Sequence, residues 1–579
     1  MLRKSVIATQ LAFLLSAPLG VANAVDVTPI PAGTGSVNGS VKDTNVATNL
    51  NYDIDSEYRS IDGSGNNLAK PGMNAIFANL RRITEVTYDD GISAMPSGRP
   101  NPRTISENLH AQGSVSVPSV GNASDLIWQF AQLLDHDIGL TEGVNANSFE
   151  PVTVPEGDSF FDAGTELPLF RAIFNSSTGT GTDNPRQQEN EITGWIDASF
   201  VYGSDETRAA ALRTLDGTGK LKTSAGELMP FNVDGLPNAN STREPTELFL
   251  AGDIRSNEQP GLAAIHTIFV REHNRLVNIL AAQNPDWDGE ELYQKARALV
   301  GGMTQRIVYN EFVPLLIGKN TLSPYQGYNP LVDASMINEF SHAAYRVGHT
   351  MLSPTILRLD SEGNEIPEGH LPLMSGFFNI ETITLQGGID PILRGLANQV
   401  SQNVDLLMVD DVRNLLFGNV EMGMDLAVLN IQRGRDHGLG TLNDVRKALG
   451  LKPYIRYGQI TSDRKIRRAL RKTYGRGNAR NLDLFTGVLA EDIVPGALVG
   501  ETQVALFKLQ FEALRDGDRF YWKNQFKGKK NRQYRRMIRS TTLSKLITRN
   551  TNIKRREIGR NAFVVGDERF IDRERTFVE

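Results

Sequence analysis

Residues 124–138 set Leu126, Ile127, Trp128, Phe130, Leu133, Leu134 and Ile138 around the tripeptide Asp135-His136-Asp137. A helix this apolar must be buried, and carboxylates and imidazoles are costly to bury unless each has a partner. The fold therefore has to enclose a polar site within a helical core. Gln132 and His136 stand four apart and share a helix face, while Asp135 and Asp137 are each turned by about 100° to either side. Stretches 261–282, 288–317 and 338–352 also repeat apolar residues near every 3.6 positions. In 288–317 the repeat runs through Leu292, Ala296, Leu299, Val300, Met303 and Ile307. Strand signals are short and sparse, and no internal repeat or central linker divides the chain. The pattern predicts a mainly α protein, one large helical domain with little β and long loops at 175–190 and 216–247.

The 579 residues include no cysteine and carry a net charge of −6. That excludes disulfides, zinc fingers, iron–sulfur clusters, thiolate-ligated haem and thiol nucleophiles. A mildly acidic balance argues against a general nucleic-acid binder. Arg3 and Lys4 precede an apolar run over 6–19 that Thr9, Gln10 and Pro18 interrupt, and Ala22-Asn23-Ala24 closes it with a small-x-small pattern. This reads as a cleaved signal peptide over 1–24, a secreted (extracellular or periplasmic) product and no integral membrane segment in the mature chain. A secreted chain of this size without cysteine points to a bacterial source. The expected organisation is an arm or loop over 25–57, a domain over 58–565 and a charged tail over 566–579. The Lys- and Arg-rich region from about Arg515 onward reads as solvated helix surface.

Five segments carry candidate chemistry. In the first, His136 and Gln132 share a face, with Asp135 and Asp137 flanking them. In the second, Thr193, Asp197 and Ser199 fall at alternate positions around Trp195, which in an extended loop would aim their oxygens together at a hard cation, with Asp137 as a further ligand. The third pairs Arg255, a fixed charge suited to a developing oxyanion, with Glu258 three residues on. The fourth, Tyr345-Arg346-Val347-Gly348-His349, offers an imidazole ligand with an Arg beside it. The fifth, 430–438, packs Asn430, Arg433 and His437 into a dense polar run, where His437 holds the segment in place. Of the other histidines, His110 and His370 sit in polar, loop-like surroundings, and His266, His273 and His342 lie in helical patterns without evident partners.

In this order and spacing the five segments resemble the animal-type haem peroxidases of the peroxidase–cyclooxygenase superfamily, from Tyr58 (YRSIDGSGNN) to Val565 (NAFVV). The resemblance implies haem b and Ca²⁺ as cofactors. It makes His136 the distal general acid and base, Gln132 a lining residue of its pocket and Arg255 the stabiliser of the departing oxygen. His349 becomes the iron ligand, Asn430 the acceptor for its other ring nitrogen, and Arg346 and Arg433 the partners of the haem propionates. Asp137, Thr193, Trp195 through its carbonyl, Asp197 and Ser199 become the calcium ligands, and Asp135 and Glu258 the carboxylates that form esters to the haem. The implied reaction reduces hydrogen peroxide through an oxyferryl intermediate and oxidises a halide, thiocyanate or a phenol.

Two departures stand out. Gln259 occupies the position where myeloperoxidase carries a methionine bonded to haem, which favours donors more easily oxidised than chloride. The absence of cysteine also departs from the disulfide-rich animal members. The rival readings are a fatty-acid dioxygenase on the same fold and an inactive secreted matrix or adhesion scaffold. The dioxygenase needs a tyrosine three residues before the iron ligand, where this chain has Arg346. The inactive scaffold has no need of Gln132, His136, Arg255, His349 and Asn430 together.

Overall fold

A computed structural model of the chain describes residues 57–142, 148–418, 424–477 and 479–566. The signal segment, nearly all of the N-terminal arm and nearly all of the C-terminal tail expected from sequence lie outside these residues. Helices dominate. The longer ones are α1 (Leu126–Ile138), α2 (Pro260–Gln283), α3 (Gly289–Ile307), α4 (Leu426–Asp436), α5 (Arg464–Tyr474), α6 (Glu501–Asp516) and α7 (Arg532–Ser540). Among the described residues, strand structure amounts to three antiparallel pairs of two-residue strands. They are Ala78–Asn79 with Glu189–Asn190, Val152–Thr153 with Glu166–Leu167, and Thr355–Ile356 with Leu371–Pro372. No helix among the described residues is long and apolar enough to cross a membrane.

Local chemistry explains where the main helices start. Pro260 opens α2 at a position whose N–H would be unpaired anyway, and the Gln259 side chain caps it by accepting from Gly261 N at 2.7 Å. Asp288 and Glu291 form a reciprocal capping box on α3. The Asp425 carboxylate accepts from Ala427 N at 2.8 Å and Val428 N at 3.1 Å to start α4. The helix expected over 288–317 changes character after Ile307, with a π turn at Val308–Phe312 and a short helix, Val313–Ile317. Pro314 cannot donate to the ladder, and the wider turn absorbs the missing bond.

The largest difference from expectation lies at 338–352. Helix stops at Asn338–His342, Ala343 takes φ −139° and ψ −65°, and Ala344–Thr350 winds as a 3₁₀ stretch. Side chains in the tighter winding do not keep the 3.6-residue phase, so His349 and Arg346 face where a continuous helix would not put them.

A continuous core packs α1, α2, α3 and α6 together through residues such as Phe130, Ile265, Phe269, Leu299 and Phe507, all fully buried. Long-range bonds pin the helix ends. At the start of α1, Ser124 N donates to Phe563 O at 2.9 Å and its hydroxyl to Ala562 O at 2.6 Å. Beneath α4, the buried Arg103 donates to Asp425 and to Asp158, each at 2.6 Å. Loop 249–258 runs so close to the segment after Ser199 that a Cβ at Gly252 would lie 2.0 Å from the Ser199 carbonyl oxygen. No flexible side chain is available there to yield. Gly252→Ala is therefore expected to cost at least ~1–3 kcal/mol, read from the urea midpoint; an unchanged midpoint would show that the two backbones can separate.

Candidate functional site

The end of α1, the loop 253–259, the 3₁₀ stretch and α4 enclose a cavity of about 240 Å³. His136, Asp135 and Gln132 reach it from α1, Arg255 and Glu258 from the loop, Arg346 and His349 from the 3₁₀ stretch, and Asn430 and Arg433 from α4. Leu352, Phe377, Leu416, Met424 and Leu429 complete apolar walls. Every sequence-derived candidate other than those assigned to the cation thus lines one space.

His136 is buried, and its Nδ1 lies 3.4 Å from the Asp253 carboxylate. Burial and the Arg255 guanidinium hold its pKa well below the ordinary imidazole value, against the pull of Asp253. The ring is neutral at pH 7 and able to take a proton. Arg255 meets Asp253 in a bidentate pair, Nε–Oδ1 at 2.9 Å and Nη2–Oδ2 at 2.7 Å. It also donates to Gly139 O, the residue that ends α1, at 3.0 Å, and its Nη1 approaches Asp135 at 3.4 Å. Burial raises the Asp253 carboxyl, but Arg255 overrides that and holds it well below the usual range. Asp253 was not among the sequence candidates. An Asp two residues before an Arg in a loop is common, and only its full burial marks it out.

On the 3₁₀ stretch, His349 Nδ1 is bonded to the Asn430 amide at 2.8 Å, which leaves Nε2 as the ring nitrogen open to a ligand. Burial and Arg346 lower its pKa to about 3, so the imidazole is neutral. The amide is placed with Nδ2 toward the ring. A ligand on Nε2 would move the proton to Nδ1, and the amide would then present its oxygen by turning over. Arg346 Nη1 stands 3.6 Å from Asp135, and Arg433 Nη1 donates to Phe170 O at 3.0 Å and to Asp436 at 3.1 Å. Glu258 follows Arg255 in a turn closed by its N–H on the Arg255 carbonyl at 3.0 Å, and burial pushes its pKa up to about 7. Gln259, besides capping α2, donates to Gln129 and to Gln132 Oε1 at 3.3 Å.

Asp137 leaves this cavity by the opposite side of α1, as the helical phase requires. It is fully buried, and burial and the Asp197 charge push its pKa well above the ordinary value. Ser199 Oγ donates to the Asp137 carboxylate at 3.1 Å, Thr193 Oγ1 donates to Asp197 Oδ2 at 3.0 Å, and Asp137 Oδ2 has no partner. The segment is not extended, as the alternation suggested. Ala198 adopts left-handed φ 66°, and Ser199 begins a short helix, Ser199–Tyr202, so a tight turn gathers the oxygens. Trp195 is fully buried, with Nε1 donating to Gly63 O at 3.1 Å. Two buried carboxylates, one of them with an unpartnered oxygen, and two hydroxyls fit a hard divalent cation.

Of the remaining histidines, His110, His273 and His342 differ from their sequence reading, while His370 lies in a loop as expected. His110 is fully buried, with its two ring nitrogens on Leu406 O at 2.6 Å and Thr486 Oγ1 at 3.2 Å. His342 lines the cavity and lies 4.1 Å, centroid to centroid, from His437, whose Nδ1 meets Asn338 Oδ1 at 2.8 Å. His266 lies 6.2 Å from the His136 ring, and His273 bonds Tyr202 and Gly219 O. Tyr345 reaches the cavity wall with its hydroxyl on Ala131 O at 3.3 Å.

The chemistry of the lining fits haem: apolar walls for a flat macrocycle, a neutral imidazole with one nitrogen held and one open, and Arg346 and Arg433 for its two carboxylates. The animal haem peroxidase family model matches residues 58–563. Human eosinophil peroxidase is 36% identical over 545 residues, 86% of this chain and 75% of that protein. Thyroid peroxidase of Sus scrofa is 33% identical, covering 88% of this chain and 61% of its own length. Peroxidasin homolog pxn-1 of Caenorhabditis elegans is 35% identical over 85% of this chain, which spans 42% of that protein. Peroxidase A of Dictyostelium discoideum superposes with TM-score 0.79 at 31% identity, over 88% of this chain and 99% of its own. The fatty acid alpha-dioxygenase of Oryza sativa shares the fold, with TM-score 0.74 at 20% identity over 89% of this chain and 88% of that one.

Breaking a buried pair from one side strands the other charge. Asp253→Asn should therefore destabilise the protein by ~3–5 kcal/mol at pH 7. Because the folded carboxyl titrates below its unfolded value, the pair's contribution is complete above about pH 4 and fades as the pH falls further. The deficit of the variant should shrink over the same acid range in urea titrations, and a deficit independent of pH would show that packing rather than charge is lost.

Proposed function

Because the chain belongs to the animal haem peroxidase family and is an oxidoreductase of that type, we propose that it is a secreted enzyme whose cavity holds haem b and reduces hydrogen peroxide while oxidising a halide, thiocyanate or a small phenol. The observation that carries this reading is that His136 and His349, both neutral, line one cavity, one beside the fixed cation Arg255 and the other held by Asn430. The bound haem would supply cleavage of the peroxide bond and storage of the oxidising equivalents. His349 would hold its iron, with Asn430 fixing the tautomer and enriching the ring. Arg346 and Arg433 would pair with the propionates, and Asp135 and Glu258 stand on the cavity wall for ester bonds.

His136 would take the proton from the bound peroxide oxygen and return it to the departing one, a transfer that needs the neutral ring at the outset. Arg255, locked by Asp253 and the end of α1, would present positive charge to that departing oxygen without reorganising. Gln132 would order water or the donor, and its bond from Gln259 fixes its orientation. Asp137, Thr193, the Trp195 carbonyl, Asp197 and Ser199 would bind Ca²⁺, which would hold α1 in register. Secretion rests on the charged, apolar and small-residue pattern of residues 1–24.

His136→Ala is expected to keep the haem and its Soret band but slow the reaction with peroxide by roughly 10²–10⁴-fold. His349→Ala should fail to retain haem on gel filtration. A His136→Ala enzyme as fast as wild type would sink the assignment. The pH profile gives a second test. A base with a depressed pKa stays neutral through and well below the ordinary imidazole value of about 6.5. The rate with peroxide should therefore be flat across neutrality and fall only on the acid side. A midpoint near 6.5 or above, in stopped flow, would contradict the role given to His136.

A further inference from the structure

Helix α5 and the turns that flank it gather a dense cluster of arginines on this acidic chain. Arg456, Arg464, Arg467, Arg468, Arg471 and Arg476 line one groove of about 770 Å³. All but the half-buried Arg467 are exposed, and none of the six forms an ion pair among the described residues. The neighbouring carboxylate, Asp463, is taken by the backbone N–H groups of Lys465 and Ile466.

Nothing in folding calls for this arrangement. Arg464 and Arg468, and Arg467 and Arg471, are like charges four apart on one helix, which is unfavourable. Arg464 and Lys465 sit in the first turn, where the helix dipole disfavours cations. Leu470 and Tyr474, fully and almost fully buried, anchor the helix to the core, and the exposed Arg464, Arg468 and Arg471 take no part in that burial. Such a cluster becomes favourable only with an external anion, and guanidinium forks suit carboxylates and sulfates.

We propose that this groove binds an acidic polysaccharide, seating the enzyme on a glycan that bears uronate or sulfate groups. The surroundings separate that partner from other polyanions. Single-stranded nucleic acid calls for exposed aromatic rings to stack its bases, and Tyr457 and Tyr474 are 5% and 4% exposed. A lipid surface calls for an apolar helix face turned outward, and that of α5 is turned inward; the surface here is also concave. Duplex DNA, with one charge per ~1.7 Å, is repelled by a protein of net charge −6 more strongly than a uronate glycan, whose carboxylates are spaced one to a sugar. Ile455, 56% exposed in the groove, offers an apolar contact for a sugar ring.

The test uses the haem-loaded chain and four probes: alginate, dextran sulfate, a DNA duplex and phosphatidylglycerol vesicles. Affinity for each is measured against salt. The groove variant carries Arg468→Gln, Arg471→Gln and Arg476→Gln. A charge-matched control carries Arg532→Gln, Arg536→Gln and Arg539→Gln on α7, which removes the same charge elsewhere. The groove variant is expected to lose at least about tenfold in affinity for alginate and dextran sulfate and to show a shallower salt slope. The control should stay within about twofold of wild type, and both variants should keep wild-type peroxide turnover with a small donor. Equal losses in the two variants would reduce the effect to net charge and overturn the site. Tighter binding of the duplex or the vesicles than of either glycan would overturn the partner.

Discussion

The ion pair between Asp253 and Arg255 is the constraint on which the rest of the site depends. Both groups are buried, and the low dielectric around them makes the pair strong only because every lobe of the guanidinium has a use. One edge is spent on Asp253, one nitrogen on the carbonyl that ends α1, and one faces Asp135. The same carboxylate stands beside His136. A single pair therefore fixes the loop to the helix, sets the charge seen by the imidazole and points a cation into the cavity. Gly252 extends the connection by letting this loop press against the backbone at Ser199, whose hydroxyl meets the buried Asp137 carboxylate.

How far the molecule was legible from its residues depended on whether the signal was periodic. Helices α1 and α2 begin and end within two or three residues of their apolar repeats, because burial of one face is what stabilises them. The Asn338–Thr350 region was misread as one helix, since its residues have helical spacing while its backbone turns at Ala343 and tightens to 3₁₀ winding. Many of the polar residues that line the cavity stand in local motifs. Asp253 was missed, because its role comes from burial beside Arg255 and His136, which no local pattern encodes. His342 was passed over for a similar reason: its contact with His437 joins two segments that are distant in sequence.

Gln259 shows how one substitution can be absorbed into the architecture. The amide caps α2 and donates to Gln129 and Gln132, so it links the start of one helix to the face of another. A methionine thioether at this position could accept weakly but could not donate. This side of the cavity thus carries a run of amides, polar and neutral, in which the order of Gln132 depends on a neighbour outside α1.

The tie between Ser124 and the segment at Ala562 has a consequence for how the protein comes into being. The helix that carries His136 is anchored to residues made 438 positions later. At roughly 5–20 residues per second, translation leaves α1 without that anchor for ~20–90 s. Its walls likewise wait for α4, and contacts this far apart in sequence form slowly. The cavity is therefore among the last parts of the molecule to close, and a truncated or stalled chain has no finished pocket in which to trap a reactive cofactor.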